Sequence, residues 1–216
     1  MKESELNKLI HAAIKQSAKT HNWKFSRGFV FKSIDPLFFS IVITGQKKNQ
    51  HLYYWLRYKL LAFDNLFWKI VKLEENLQRP LSFRAAGAWT APMSTISSGK
   101  LSISDWKVEN VQSAVNEVFT RCELDVGRVS KEICSLDDNL GVIERLHANL
   151  KDEHPKTVIN IWLERLLTSI LKEEYHLAEK IIRDRIENQD PGGFQVGSKS
   201  VYRLAKEYLQ EVKDQF

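Results

Sequence analysis

The sequence predicts an α+β protein: one N-terminal helix, an antiparallel sheet of about four or five strands with a short helix inserted, then an all-helical C-terminal region. Three observations predict it. Apolar residues alternate with period two in consecutive runs between Trp23 and Leu61, the spacing of pleated strands. The period changes to a helical one after Ala62, and from Leu136 onward every apolar stripe is helical. Strands therefore come in one run and helices in another, the order of an α+β chain rather than of alternating βαβ units. The expected organisation is a sheet domain over residues 1–135 and a helical region over residues 136–216, either separate or docked as one unit.

The first helix is expected over residues 3–20, where Leu6, Leu9, Ile10, Ala13, Ile14 and Ser17 recur on one side of the wheel and Lys8, Lys15 and Lys19 lie elsewhere. A first strand is expected from Trp23 to Lys32, with Trp23, Phe25, Arg27, Phe29 and Phe31 on one face. Asp35-Pro36 punctuates the chain, because proline fixes its own φ and restricts its predecessor. Leu37 to Thr44 is apolar nearly throughout, as a doubly covered strand would be, and residues 45–50 form a polar loop. The third run reverses parity. Leu52, Tyr54, Leu56, Tyr58 and Leu60 share one face; His51, Tyr53, Trp55, Arg57 and Lys59 share the other.

A short helix carries Phe63, Leu66, Phe67, Ile70 and Val71, with Asp64 as N-cap or first-turn acid. Ser82 to Trp89 reads as a strand of small residues, which would let another backbone or a ligand come close at Gly87. Lys100 to Ile103 is one more short strand. Asp105 is expected to cap a long helix whose stripe runs Val108, Val111, Val115, Val118, Phe119, Cys122, Val126, Val129 and Ile133. Further helices start at Asp137-Asp138 and at Pro155, a proline suited to a first helical position. Leu177, Ile181, Ile182 and Ile186 mark another. The loop Gln189-Asp190-Pro191-Gly192-Gly193 precedes a last helix with Val201, Leu204, Ala205, Tyr208 and Leu209.

At 216 residues, with 43% hydrophobic and 27% charged residues, the chain has the composition of an ordinary globular protein with a substantial core. No apolar run approaches the about 20 residues that cross a bilayer. The opening MKESELNKLIHAAIKQ carries acids and no signal-peptide core, so a cytoplasmic protein without membrane partners is expected. Cys122 and Cys134 stand 12 residues apart, about 18 Å along one helix, beyond disulfide reach; two reduced thiols are expected. Charge is uneven: residues 1–108 hold 17 Lys+Arg against 7 Asp+Glu, and residues 109–216 hold 15 against 20. Such a split suggests two functional surfaces, or two parts that attract each other.

Several chemistries lack their motifs. The nine glycines form neither GxxxxGK[ST] nor GxGxxG. There is no CxxC, HExxH or GxSxG, so neither zinc chemistry nor a nucleophile elbow is expected. Cys122 falls on an apolar stripe and reads as a structural thiol. Acidic pairs such as Glu74-Glu75 and Glu173-Glu174 are adjacent, and adjacent helical residues do not share a face. No cofactor, metal or catalytic residue is assigned. A remaining enzymatic possibility would assemble Arg84 and Trp89 with a distant acid, Asp64 or Glu109, around a pocket beside Gly87.

What remains is a surface. Tyr53, Trp55, Arg57 and Lys59 alternate on one strand face, and Arg27, Arg79, Arg84 and Trp89 are candidates to join them. Tyr, Trp and Arg dominate protein–protein hot spots. Aromatic rings with interleaved cations also suit single-stranded nucleic acid. A purely structural alternative packs this face beneath the C-terminal helices.

An N-terminal helix, W-K-F-S-R-G-F-V-F at residues 23–31, an apolar strand and an aromatic third strand follow in order. This pattern, over residues 1–135, resembles a bacterial family of small α+β domains of unknown function, some encoded beside toxin or phage-defence genes. The resemblance implies a non-enzymatic immunity protein or accessory subunit, and it transfers no functional residue. The expected function is binding of another protein, with nucleic-acid binding through the basic N-terminal half as the alternative.

Overall fold

The computed structural model describes residues 2–85, 89–153 and 160–214. Helix α1 (Glu3–Thr20) leads into strands β1 (Lys24–Ser26), β2 (Phe29–Ile34), β3 (Leu37–Gln46) and β4 (His51–Leu60). Helix α2 (Leu61–Ile70), a 3-10 segment (Glu74–Gln78) and the one-turn helix α3 (Ser82–Ala85) separate β4 from β5 (Ser94–Ser102). Helices α4 (Val108–Glu132), α5 (Leu136–Glu153), α6 (Ile161–Leu171) and α7 (Tyr175–Glu187) follow. A small hairpin, β6 (Gln195–Val196) with β7 (Lys199–Ser200), precedes α8 (Val201–Lys213). The chain is α+β, and its main sheet has the order β1-β2-β3-β4-β5.

Contacts group the chain into two units, Met1–Lys59 with Leu81–Ala86 and Thr95–Glu132, and Leu60–Pro80 with Gly87–Ser94 and Ile133–Phe216. α2 and the segment before β5 cluster with the C-terminal helices. The charge split persists, with 17 Lys+Arg against 9 Asp+Glu in the sheet unit and 15 against 18 in the helical unit.

Residues 23–32 are not one strand. Arg27 and Gly28 have φ of 49° and 86°, the left-handed pair that a two-residue hairpin turn requires. β1 therefore folds back on β2, pairing Lys24 with Phe31, Phe25 with Val30 and Ser26 with Phe29. The expected apolar face splits: Phe25 lies edge-on to His11 of α1, while Phe31 stacks on Phe38. The turn at Asp35-Pro36 holds as expected, with a cis peptide bond and Ile34 opposite Leu37. β3 extends through Gly45 to Gln46, so only residues 47–50 form the connection to β4. A Cβ on Gly45 would fall 2.4 Å from Ile10 Cδ1, so α1 lies close against this face of β3.

The two faces of the sheet differ. Lys32 and Phe39 are neighbours in the ladder, Lys32 pairs with Glu123 of α4 at 2.8 Å, and Phe39 stacks on Tyr58. This is the helix-covered face. On β4 it takes Leu52, Tyr54, Leu56 and Tyr58, each at most 6% exposed. Helices α1 and α4 pack together over Val111, Val115, Val118, Phe119 and Cys122, all fully buried. Ser17 joins them: its hydroxyl donates to Asn116 Oδ1 at 2.6 Å and accepts from Gln112 Nε2 at 2.8 Å, so this buried polar group keeps its partners. Asp105 does not occupy the cap position of α4. The first helical bond runs from the Val111 amide to the Lys107 carbonyl, and Asp105 accepts from the Lys107 amide and Asn110 Nδ2 just before it.

In the helical unit, α6 packs against α5, α7 and α2. Its Leu163, Leu166, Leu167 and Ile170 are buried. Asn160 caps it, accepting from the Leu163 amide at 3.1 Å and donating to the Gly192 carbonyl at 2.6 Å. Gly192 has φ 68°, and a Cβ there would lie 2.3 Å from Val201 Cγ1, which leaves no room for a side chain. Pro155, Val158 and Gly87 lie outside the described residues.

Candidate binding face on strand β4

Tyr53, Trp55 and Arg57 project together from β4, away from α1 and α4. All three are half-buried. The rings of Tyr53 and Trp55 lie nearly parallel, 6.4 Å apart with an 18° interplanar angle, and His51 lies 6.0 Å from Tyr53. Period two along a ten-residue strand places them. Among the described residues, the Tyr53 hydroxyl, the Trp55 indole N–H and the Arg57 guanidinium have no hydrogen-bonding or ionic partner.

Lys59 shares their parity but not their exposure. It is 1% exposed, its ammonium donates to the Arg84 carbonyl at 3.0 Å and lies 5.7 Å from the Phe38 ring centroid. The expectation that Lys59 adds to an open cationic face is therefore corrected. α3 is responsible. Residues 82–85 are a helical turn and not the expected strand, and that turn brings the Arg84 carbonyl to Lys59. Arg84 is half-buried. Arg27 is exposed in the β1–β2 turn, at the far edge of the sheet. Arg79 and Trp89 belong to the other compact unit, where Trp89 lies edge-on to Phe194 and its carbonyl accepts from Trp68 Nε1. Of the eight candidate residues the structure groups Tyr53, Trp55 and Arg57.

Electrostatics single out the same sheet. None of its five strands contains Asp or Glu, while Lys24, Lys32, Arg57, Lys59 and Lys100 lie on them. Lys24, Arg57 and Lys100 have no ionic partner among the described residues. β5 contributes small neighbours. A Cβ on Gly99 would sit 2.7 Å from Tyr54 Cε1, so Gly99 faces the helix side, and alternation turns Ser98 and Lys100 to the open side with Tyr53 and Trp55.

Of the residues considered for catalysis, Arg84 and Glu109 belong to one compact unit and Asp64 and Trp89 to the other. Asp64 is fully buried in the first turn of α2 and accepts from the Ala91 amide at 2.9 Å, a structural use of its carboxylate. Glu109 is exposed at the start of α4 in the other unit. Among the described residues no group of three or more His, Cys, Asp or Glu side chains is placed to hold a metal ion, and no helix is long and apolar enough to cross a membrane. Neither cysteine is in a disulfide; Cys122 is buried and Cys134 exposed. Burial, then the nearby Asp125 and Glu123, push the Cys122 thiol up to about 12, the condition of an inert thiol.

A carboxyl shifted upward by burial lies elsewhere. Glu164 on α6 is 7% exposed and accepts from the Ser94 hydroxyl at 3.0 Å. Burial pushes its carboxyl up to about 7 despite the donated bond. Sequence reading passed over it, although an acid inside IWLERLLTSI was the available signal. On α6 a groove of about 490 Å³ runs beside Leu140, Trp162, Leu177 and Ile181. Its rim is laced by the ion pairs Lys172–Asp137 and Arg165–Glu144, and Glu164 does not line it. No protein-family model, curated protein or solved structure matches the chain.

Proposed function

We propose that this protein is a non-catalytic protein-binding module, an immunity protein or an accessory subunit of a bacterial defence or toxin-related assembly. It docks an acidic partner on the open face of its sheet. One observation carries the reading: Tyr53, Trp55 and Arg57 stand side by side on an acid-free sheet, with their polar ends unused by the described residues. These residue types supply most hot-spot energy in interfaces, with large rings for burial and a planar cation for carboxylates. The test is a photo-crosslinking amino acid at position 55 in the native host. The expected result is one dominant crosslinked protein, lost on Arg57→Glu. Crosslinks that are absent, or unchanged by Arg57→Glu, overturn the proposal.

A second reading, binding of single-stranded nucleic acid, is favoured by the absence of any acid from the strands. It is weaker because Lys59 is withdrawn from the face, and because phosphate binding draws on several accessible cations along the path of the strand. It predicts retardation of single-stranded DNA or RNA that weakens steeply with salt and on Trp55→Ala. No retardation at low salt ends it.

A further inference from the structure

We infer that the acidic partner engages this protein by strand addition, laying an extended segment along the free edge of β5 with its side chains reaching the Tyr53–Trp55 row. The inference rests on the proposed use of the open face and names how that face is approached. β5 is terminal in the strand order, with β4 on one side and, among the described residues, no strand on the other. The opposite edge of the sheet is β1, only three residues long, too short to template a partner. β5 has nine residues.

The direction of its backbone groups follows from two contacts. The Ile103 amide donates to the Gln50 carbonyl at 2.8 Å, and Gly99 sits against the Tyr54 ring. Antiparallel ladders repeat every second residue. Leu101, Gly99, Ser97 and Thr95 therefore bond inward to β4, and Ser98, Lys100 and Ser102 turn their N–H and C=O groups to the free edge. Lys100 and Ser102 are exposed and Ser98 is half-buried. Free edges are ordinarily blunted by proline, by charge or by shortness. β5 has no proline and one charged residue, Lys100.

Charge decides the occupant. Neither β4 nor β5 contains an acid, and the chain has none from Asn76 to Ser104. Lys100 at the edge and Arg57 on the face are both without an ionic partner among the described residues. An added strand with Asp or Glu at alternate positions would place carboxylates toward these cations, while its backbone gained ladder hydrogen bonds to Ser98, Lys100 and Ser102. Main-chain bonds then give affinity and alternate side chains give specificity.

The test selects binders from a random eight-residue peptide library on the intact protein. Hydrogen exchange of backbone amides is then followed with and without the selected peptide. The expected result is peptides rich in Asp and Glu at alternate positions, and exchange at Ser98, Lys100 and Ser102 slowed at least tenfold. Ser98→Pro, which removes an outward N–H and no β4 bond, and Lys100→Glu should each weaken binding at least tenfold. If Ser98→Pro does not fold, Lys100→Glu and the amide exchange of the unaltered protein decide. Peptides that require Trp55 but leave the β5 amides unprotected overturn strand addition and leave the open-face reading standing. No acidic peptide selected, or binding indifferent to Trp55→Ala, sinks both. Protection of these amides without peptide, together with a dimeric mass, replaces the acidic segment with a second copy of the chain and overturns the assigned occupant.

Discussion

The two faces of β4 are built from the same kinds of side chain and put to opposite uses. Tyr54 and Tyr58 are at most 6% exposed on the helix-covered side, and Phe39 stacks on Tyr58. Tyr53 and Trp55, one residue out of phase, stay half-buried with their polar ends unbonded among the described residues. Aromatic content alone therefore does not separate buried from half-buried rings. Parity separates them, because a one-residue step on a pleated strand changes the face. Lys59 adds a second lesson. A residue of the right parity still leaves the surface when a neighbouring backbone carbonyl, here that of Arg84, takes its charge.

Substitutions can break or sharpen this contrast. The largest effect is expected on the covered face: Phe39→Ala empties a fully buried ring site and should cost about 3–5 kcal/mol in urea unfolding. A cost under about 1 kcal/mol would mean that this face is not packed. A buried charge is next. Glu164 has a folded-state pKa raised from 4.5 to about 7, so the folded protein keeps its proton longer than the unfolded chain. Its burial costs nothing below about pH 4.5; the cost grows as pH rises through that window and levels off above about pH 7. Glu164→Gln should therefore stabilise the protein by about 3 kcal/mol at pH 8 and by little at pH 4. Equal effects at both pH values would contradict the assignment. Gly99→Ala, which drives a methyl to 2.7 Å from the Tyr54 ring, should destabilise by about 1–3 kcal/mol through overpacking. Arg57→Ala, on the open face, should change stability by less than about 0.5 kcal/mol and act only on binding. Thiol titration gives a chemical counterpart: in the native protein one cysteine, Cys134, should be alkylated rapidly, and Cys122 only after unfolding.

Much of this was legible in the sequence, for identifiable reasons. The long strands and the helices advertise themselves through period two and period 3.6, so the α+β order and the Tyr53–Trp55–Arg57 row follow from spacing. The turn at Arg27-Gly28 did not, because an arginine stands where the left-handed conformation favours Gly, Asn or Asp, and the alternating pattern runs straight through it. Residues 82–85 read as strand because they lead into the small-residue run 85–88, which carries little pattern of either kind. Arg79 and Trp89 are basic and aromatic like the others, but no spacing rule joins residues that fold into different units. Glu164 is hidden because burial of an acid is decided by what packs around it.

On the proposed reading β4 gives Leu52, Tyr54, Leu56 and Tyr58 to the core and Tyr53, Trp55 and Arg57 to a partner, and paired urea unfolding of Trp55→Ala and Leu56→Ala tests this division most directly. Leu56 is fully buried, and its truncation should cost about 2–5 kcal/mol. Trp55→Ala should cost no more than about 1 kcal/mol, a shift of roughly 2–4 °C in Tm for a chain of this size. Equal and large losses for the two variants would place Trp55 in the core and remove the binding face on which the account depends.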